Sequence, residues 1–413
     1  MLLVLSAFGA AGATTLQDDF PVEGTFHWGP FRVRPSFQLK ETGYDSNVFL
    51  EDGTPTSDFT STPEVGVKMF SLFRDRGALQ IEELLDYVWY AENTDLNHFN
   101  NLTRSRGAYY MKRGLVFADF QFLSVRERPS TEIDYRVRRR EKMLGAGWRF
   151  VWPHSTLQFR LGRDVYDYES GTEAGQNIPP ALNRVEKRVT VTGTKQLFPK
   201  TTGLLEWEGT RIDFEQKPTA TIADSDSSAR RFSGGLQFDP SAFVKGTLKI
   251  GVKRLEPDSD SRKGYEGLVG DAALLYRITG LTGLEMRWRR GVEFTIATNN
   301  LYYLDRAYGA TLTQKLAERV AGEIGIDRQR IDYPFLTTAC DPDLGGCGIG
   351  QPGLVSGFRV DELRSYFGGA SYRMSNLARI GLRVGVWERG STPPFDFLDR
   401  HRLTAQVIYA YNF

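Results

Sequence analysis

The amino-acid sequence predicts an all-β protein: a transmembrane up-and-down antiparallel β-barrel of about 18 strands, with 16–20 compatible with the pattern. Three observations predict it. Apolar and polar residues alternate with period two in one segment after another. The connections between those segments are short and long by turns. The 413-residue chain, of mean hydropathy −0.37, has no run near the ~20 apolar residues that a membrane-crossing helix needs.

The alternation is plain at both ends. Phe31, Val33, Pro35, Phe37 and Leu39 share one face, and Arg32, Arg34, Ser36, Gln38 and Lys40 the other. In the last segment Leu403, Ala405, Val407, Tyr409, Tyr411 and Phe413 alternate with Thr404, Gln406, Ile408, Ala410 and Asn412. Between them, Leu248, Ile250 and Val252 alternate with Lys249, Gly251 and Lys253, and Leu284, Met286 and Trp288 with Glu285, Arg287 and Arg289. Taken in order, the strands are predicted at 31–44, 59–71, 77–91, 98–112, 114–128, 135–152, 155–168, 184–198, 201–214, 229–239, 243–255, 264–278, 281–295, 302–314, 318–332, 360–374, 377–389 and 401–413. Soluble sandwich strands also alternate, but they break every 8–12 residues; these segments run longer, as tilted membrane strands do.

The connections carry the parity. After even-numbered segments they are brief, as at Pro153-His154, Thr279-Gly280 and Ser375-Asn376. After odd-numbered ones most are long and polar: 51–58, 169–183, 215–228, 256–263, 334–359 and 390–400. Short periplasmic turns alternating with long surface loops are a transmembrane-barrel pattern, and an even strand number puts both ends on the periplasmic side of the outer membrane. Aromatics near segment ends suggest two girdles: Phe70, Phe150, Trp152, Phe238, Tyr276 and Tyr409 near one interface; Tyr87, Trp89, Phe99, Tyr166, Phe214, Phe294 and Tyr302 near the other. The alternative is ordinary β-propensity.

Composition narrows the function classes. Aromatic residues at 13% and 42 glycines suit strands with tight turns, and 52 basic against 51 acidic residues leave no net-charge basis for nucleic acid binding. Residues 1–13, ending in the small-x-small pattern Ala11-Gly12-Ala13, read as a cleavable export signal, although no basic residue precedes Arg32; an apolar tail is the alternative. Residues 14–30 are expected as a periplasmic lead-in and 31–413 as the barrel. Cys340 and Cys347, in a Gly/Pro-rich loop, suit a small disulfide loop and an oxidising compartment. Free thiols are the alternative; a metal knuckle lacks a nearby histidine. No cofactor is implied, since no nucleotide- or metal-binding motif is visible.

On this parity the lumen wall is charged. The candidate substrate path comprises Arg32, Arg34, Lys40, Lys249, Lys253, Arg287, Arg289, Arg379, Arg383, Glu285 and Glu323. Because first and last strands are neighbours, Arg32, Arg34, Arg379 and Arg383 could line one wall and favour an anionic solute such as a uronic-acid polymer. Alternatively, these arginines pair with lumenal carboxylates and brace the wall. The basic run from Arg136 to Glu141 suits lipopolysaccharide phosphates or a solvated rim. The four histidines include His98 and His401 near outer strand ends; an enzyme would require them to share a cleft, and the expectation is a non-enzyme.

Two stretches resemble known proteins. The last strand, ending in Phe413 with aromatics at alternate positions, resembles the signal read by the barrel-assembly machinery. The stretch Val33–Phe49, and within it Gly43-Tyr44-Asp45-Ser46-Asn47-Val48-Phe49, resembles the first hairpin of the β-barrel porins found with exopolysaccharide-secretion genes. The resemblance implies an outer-membrane channel for export of an exopolysaccharide or related saccharide. Outer-membrane lipid, the saccharide polymer and periplasmic export components would be its partners. It assigns no catalytic residues, and turn chemistry alone accounts for Asp45 and Asn47. Two other readings stay open: a general or substrate-selective diffusion porin, for which the 334–359 loop would fold inward, and a surface scaffold or adhesin with a closed lumen.

Overall fold

The computed structural model describes residues 26–51, 54–73, 76–128, 136–169, 172–173, 176–177, 182–215, 224–239, 242–295, 300–340 and 354–412. The barrel strands are β1 (Phe31–Asp45), β2 (Asp58–Phe73), β3 (Gly77–Tyr90), β4 (His98–Met111), β5 (Gly114–Glu127), β6 (Val137–Trp152), β7 (Ser155–Tyr168), β8 (Arg184–Phe198) and β9 (Thr201–Phe214). The second half comprises β10 (Ser227–Phe238), β11 (Val244–Pro257), β12 (Tyr265–Arg277), β13 (Thr282–Phe294), β14 (Tyr302–Lys315), β15 (Val320–Asp332), β16 (Val360–Arg373), β17 (Ala378–Ser391) and β18 (Arg400–Asn412). Every strand pairs antiparallel with the next, and β18 pairs with β1, so the sheet is a closed 18-stranded barrel.

Each predicted segment overlaps one observed strand. Short links such as Pro153-His154 gather on one rim, the long connections on the other. Three short additions were not foreseen. Phe26–Trp28, inside the expected lead-in, pairs with the start of β1, and two small hairpins, 172–173 with 176–177 and 337–340 with 354–357, stand in long loops. The expected export signal lies outside the described residues, as do Phe413 and Cys347; with Cys347, the disulfide expectation falls outside them too. No helix among the described residues is long and apolar enough to cross a membrane; the strands supply the crossing.

Alternation sorts the side chains. Leu161, Leu205, Phe232, Leu268, Ile324 and Leu382 stand exposed on the outer face, while their polar neighbours face inward. A continuous apolar exterior would be an aggregation surface in water and is the natural one in lipid.

Parity breaks at two places. In β1 the register shifts between Leu39 and Thr42, where Glu41 takes φ +46°. This bulge turns Asp45 inward onto Arg402, with Nε–Oδ1 at 2.9 Å and Nη2–Oδ2 at 2.5 Å. Just past it, Asn47 accepts the Glu51 N–H at 2.8 Å and donates to the carbonyls of Glu51 at 2.9 Å and His401 at 3.1 Å. Gly43 lets the two edge strands approach: a Cβ there would collide with the Ala405 carbonyl. The Gly43–Phe49 motif thus holds the barrel shut.

The second break is between β12 and β13. Their ladder stops at Gly270–Arg290, whereas β11–β12 continues to Leu255–Tyr265 and β13–β14 to Phe294–Tyr302. The β13–β14 tip therefore packs against inner-face residues of its neighbours: Phe294 meets Phe214 edge-on at 5.1 Å, and Tyr302 meets Tyr265 at 5.7 Å. This corrects the girdle expectation for Phe214, Phe294 and Tyr302, which are packed away from lipid. Tyr166 also turns inward, with the Arg184 guanidinium 4.0 Å from its ring centroid. Phe70 joins an inner cluster with Ala78, Ala108, Leu115 and Phe117.

Candidate functional site

The lumen wall is built of ion pairs laid across strands. Arg287 on β13 and Asp327 on β15 are both in register with Gly309 on the strand between them, and they meet over it at 2.9 Å. Arg383 on β17 likewise reaches over Gly369 of β16 to Glu323 of β15, at 2.6 Å. Arg160 crosses the face of Gly145 to Asp119, at 2.6 Å. A Cβ at Gly309 would fall on the Asp327 carboxylate and one at Gly145 on the Arg160 guanidinium, so glycine is required for these side chains to lie flat against the wall.

A longer ladder runs around the wall from β7 to β11. Asp164 meets Arg188 at 3.3 Å, Arg188 approaches Glu208 at 3.8 Å, and Glu208 meets Arg231 at 3.5 Å. Arg231 then binds Glu206 at 2.9 Å, which lies 3.6 Å from Lys249. Cation and anion alternate at every step. Each group is partly desolvated by its neighbours, and its partner offsets the water it has lost. On the opposite wall Lys40 binds Glu64 and lies 3.7 Å from Asp86, while Glu82 holds both Lys68 at 3.0 Å and Arg104 at 3.3 Å.

Most expected path residues belong to this paired wall. Lys40, Lys249, Arg287, Arg383, Glu285 and Glu323 all have ion partners, and Arg289 binds the fully buried Asp305. Lys253 faces Arg231 in register. The four arginines of the expected basic stripe do not form one row. Arg379 is level with Gln38, six residues along β1 from Arg32, and Arg383 turns away to Glu323. Arg32 and Arg379 make no ion pair with any described residue, whereas Arg34 sits in register with Lys68. Residues such as Arg383 and Glu323 are legible in the sequence but their pairing is not, because the pairs Arg287–Asp327 and Arg383–Glu323 join positions 40 and 60 residues apart in the chain.

At the long-loop rim the β13–β14 tip is folded against the inner wall. Asn300 on it donates to the Phe335 carbonyl at 3.3 Å and accepts the Phe335 N–H at 3.0 Å, so the start of the 333–359 connection docks there. The end of that connection is fixed by Arg359, which binds Asp361 and lies over the rings of Tyr333 and Phe395. Outside the strands, the hydrogen bond from Arg211 holds the Asp258 carboxyl below the usual carboxylate range. His98 is buried against the Leu96 carbonyl and His401 is exposed beside Glu388 on the outer face, so they share no cleft. No group of three potential metal ligands occurs among the described residues.

A closed antiparallel barrel with an apolar exterior and a charged, paired interior is an outer-membrane β-barrel channel of the porin type. The sequence matches the family described as "Putative beta-barrel porin 2" over residues 24–406, and the chain belongs to that family. No curated protein is matched by its sequence. Among solved structures, it resembles OccK3 (OpdO) of Pseudomonas aeruginosa at 10% identity and TM-score 0.47, covering 92% of this chain and 95% of that one. It also resembles opdK from Pseudomonas aeruginosa, at 8% identity and TM-score 0.48, with coverage of 92% and 98%. The siderophore receptor PirA from Acinetobacter baumannii matches at 6% identity and TM-score 0.43, with coverage of 92% and 80%.

Proposed function

We propose that this barrel is a channel for saccharides and that its cargo is a secreted polysaccharide. In this reading the long loops face the cell exterior, both chain ends lie in the periplasm, and residues 1–13 are an export signal. The observation that carries it is the alternating ladder from Asp164 to Lys249. Sugar hydroxyls both donate and accept, so a wall that alternates guanidinium and carboxylate offers a partner at every step. Such a wall is close to neutral, and no single-sign well traps a polymer on its way through. The likeness of Gly43–Phe49 to porins found with exopolysaccharide-secretion genes supports the polymer as cargo. The barrel is read as a conduit, passive or driven by periplasmic partners, and not as an enzyme.

Deleting the gene in its host and measuring polymer by compartment tests this. Secreted polymer should fall and periplasmic polymer accumulate, with recovery on complementation; unchanged polymer in both places would sink the export reading.

The infolded β13–β14 tip favours a second reading, a diffusion porin for small solutes, since a mouth narrowed by it would suit a sugar better than a polymer. Liposome swelling with sugars of increasing length separates the two: a cut-off at a few residues points to diffusion. Absence of any conductance in planar bilayers would favour a scaffold with a closed lumen.

A further inference from the structure

On the outer face, toward the long-loop rim, lies a set of cations that the channel does not use. Arg163 of β7 is in register with Lys187 of β8, and Lys187 with Arg211 of β9. Arg230 of β10 is in register with Arg254 of β11. The arrangement recurs across β13–β15, where Arg290, Arg306 and Arg330 face one another in a row. Directly paired positions set Cβ atoms about 4.5–5.5 Å apart, and like charges there repel.

These cations share one depth. Arg163 stands eight residues from Ser155, Arg230 eight from Phe238, Arg211 ten from Thr201 and Lys187 eleven from Phe198, each counted from the short-turn end of its strand. At about 3.4 Å per residue and a tilt near 40°, they lie roughly 21–29 Å above the short-turn rim. That is the far edge of an apolar band about 25 Å tall. Below them the same faces are apolar: Leu161, Leu205 and Phe232 are each more than half exposed.

Protein carboxylates cover only part of this charge. Asp213 binds Lys187 at 3.0 Å and Arg211 at 2.9 Å, Asp258 binds Arg211 at 2.5 Å, Glu256 binds Arg254 at 2.8 Å, and Asp332 holds both Arg306 and Arg330 at 2.9 Å. Lys142, Arg163 and Arg230 have no hydrogen bond or ion pair with any described residue. Three unpaired cations beside a like-charged row, at one depth of a lipid-facing wall, need an anion that lipid supplies.

We propose that this face binds the phosphate groups of a phosphorylated glycolipid of the outer leaflet, through Arg163, Lys187 and Arg230. The proposal rests on the orientation given above, with the long loops outside. Guanidinium forks match phosphate oxygens in pairs, and one phosphate bridging Arg163 and Lys187 turns their repulsion into attraction.

The test is native mass spectrometry of the intact protein in detergent. It is titrated with bisphosphorylated lipid A, dephosphorylated lipid A, phosphatidylglycerol and inorganic phosphate. Bisphosphorylated lipid A should bind at least about tenfold tighter than the other three, a difference of about 1.4 kcal/mol. Arg163→Gln/Lys187→Gln/Arg230→Gln should lose that preference, and Arg163→Lys/Arg230→Lys should keep most of it. Heat-modifiable gel mobility checks that each variant is folded. Equal binding of dephosphorylated lipid A, or an unaltered triple-Gln variant, overturns the proposal. Equal binding of inorganic phosphate overturns a lipid ligand. Preference for phosphatidylglycerol overturns the outer-leaflet assignment and with it the orientation. Bilayer conductance of the triple variant should match the parent, which keeps this outcome separate from that of the channel reading.

Discussion

Two arcs of the barrel exterior meet the same membrane interface in different ways. On β7–β15 the interface level is basic, with Arg163, Lys187, Arg211, Arg230, Arg290 and Arg306. On β1–β4 the corresponding level carries Leu39, Val65 and Leu85, and just above it Tyr44, Phe59, Tyr87, Trp89 and Phe99 form an aromatic arc in which the rings of Tyr87 and Phe99 meet tilted at 4.6 Å. The acid on that arc, Glu83, is held by Asn101. Rings position a barrel by their amphipathic character alone, whereas guanidinium groups need a counter-charge. The aromatic arc is also where the chain closes on itself, through Asp45 and Arg402. One arc is tied by internal contacts, the other by what the membrane brings.

Four substitutions break or sharpen that contrast. Arg402→Ala leaves Asp45 buried without its cation, so folding stability should fall by about 3–5 kcal/mol in denaturant titrations. Asp213→Ala on the basic arc removes an exposed partner and should cost about 1 kcal/mol or less. Equal losses would erase the distinction between the arcs. Next in size, Leu161→Arg, two residues below Arg163, puts a cation into the apolar band and should cost about 2–4 kcal/mol; near-zero cost would mean that the band ends lower than the strand geometry indicates. Smallest is Arg163→Gln, whose sign should depend on lipid. Without anionic lipid it relieves repulsion from Lys187 and should stabilise by about 0.2–1 kcal/mol, while with bisphosphorylated lipid A it should destabilise. Loss of stability in plain detergent as well would show that Arg163 has an internal role.

The strands were legible because each keeps period two for a dozen residues, enough to fix type and extent, and because short links such as Pro153-His154 mark one rim without ambiguity. What was lost depended on three-dimensional register. Glu41 shifts parity in β1 with no local signal beyond a charged residue before Thr42-Gly43. Phe214 and Tyr302 read as girdle aromatics, yet the unpaired stretch beyond Gly270–Arg290 turns the β13–β14 tip against the inner wall. The pairs Arg287–Asp327 and Arg383–Glu323 span two strands, so no window of sequence contains both partners. The basic arc could have been found. Each cation is isolated in its own segment, but parity assigns it outward, and its distance from the short turn repeats from strand to strand.

The Asp45–Arg402 contact joins residues 357 positions apart, and the Asn47 side chain reaches a carbonyl 354 positions away at the same spot. Bringing such distant segments together carries a length-dependent entropy cost of about 5 kcal/mol. Each intervening ladder shortens the loop to be closed, so the first and last strands are expected to meet last. Until then the growing sheet has two bare edges, open to pairing with another chain. The bulge, the inward aspartate and the Asn47 clasp form at this final step. They work as a latch whose closing turns an aggregation-prone sheet into a finished pore.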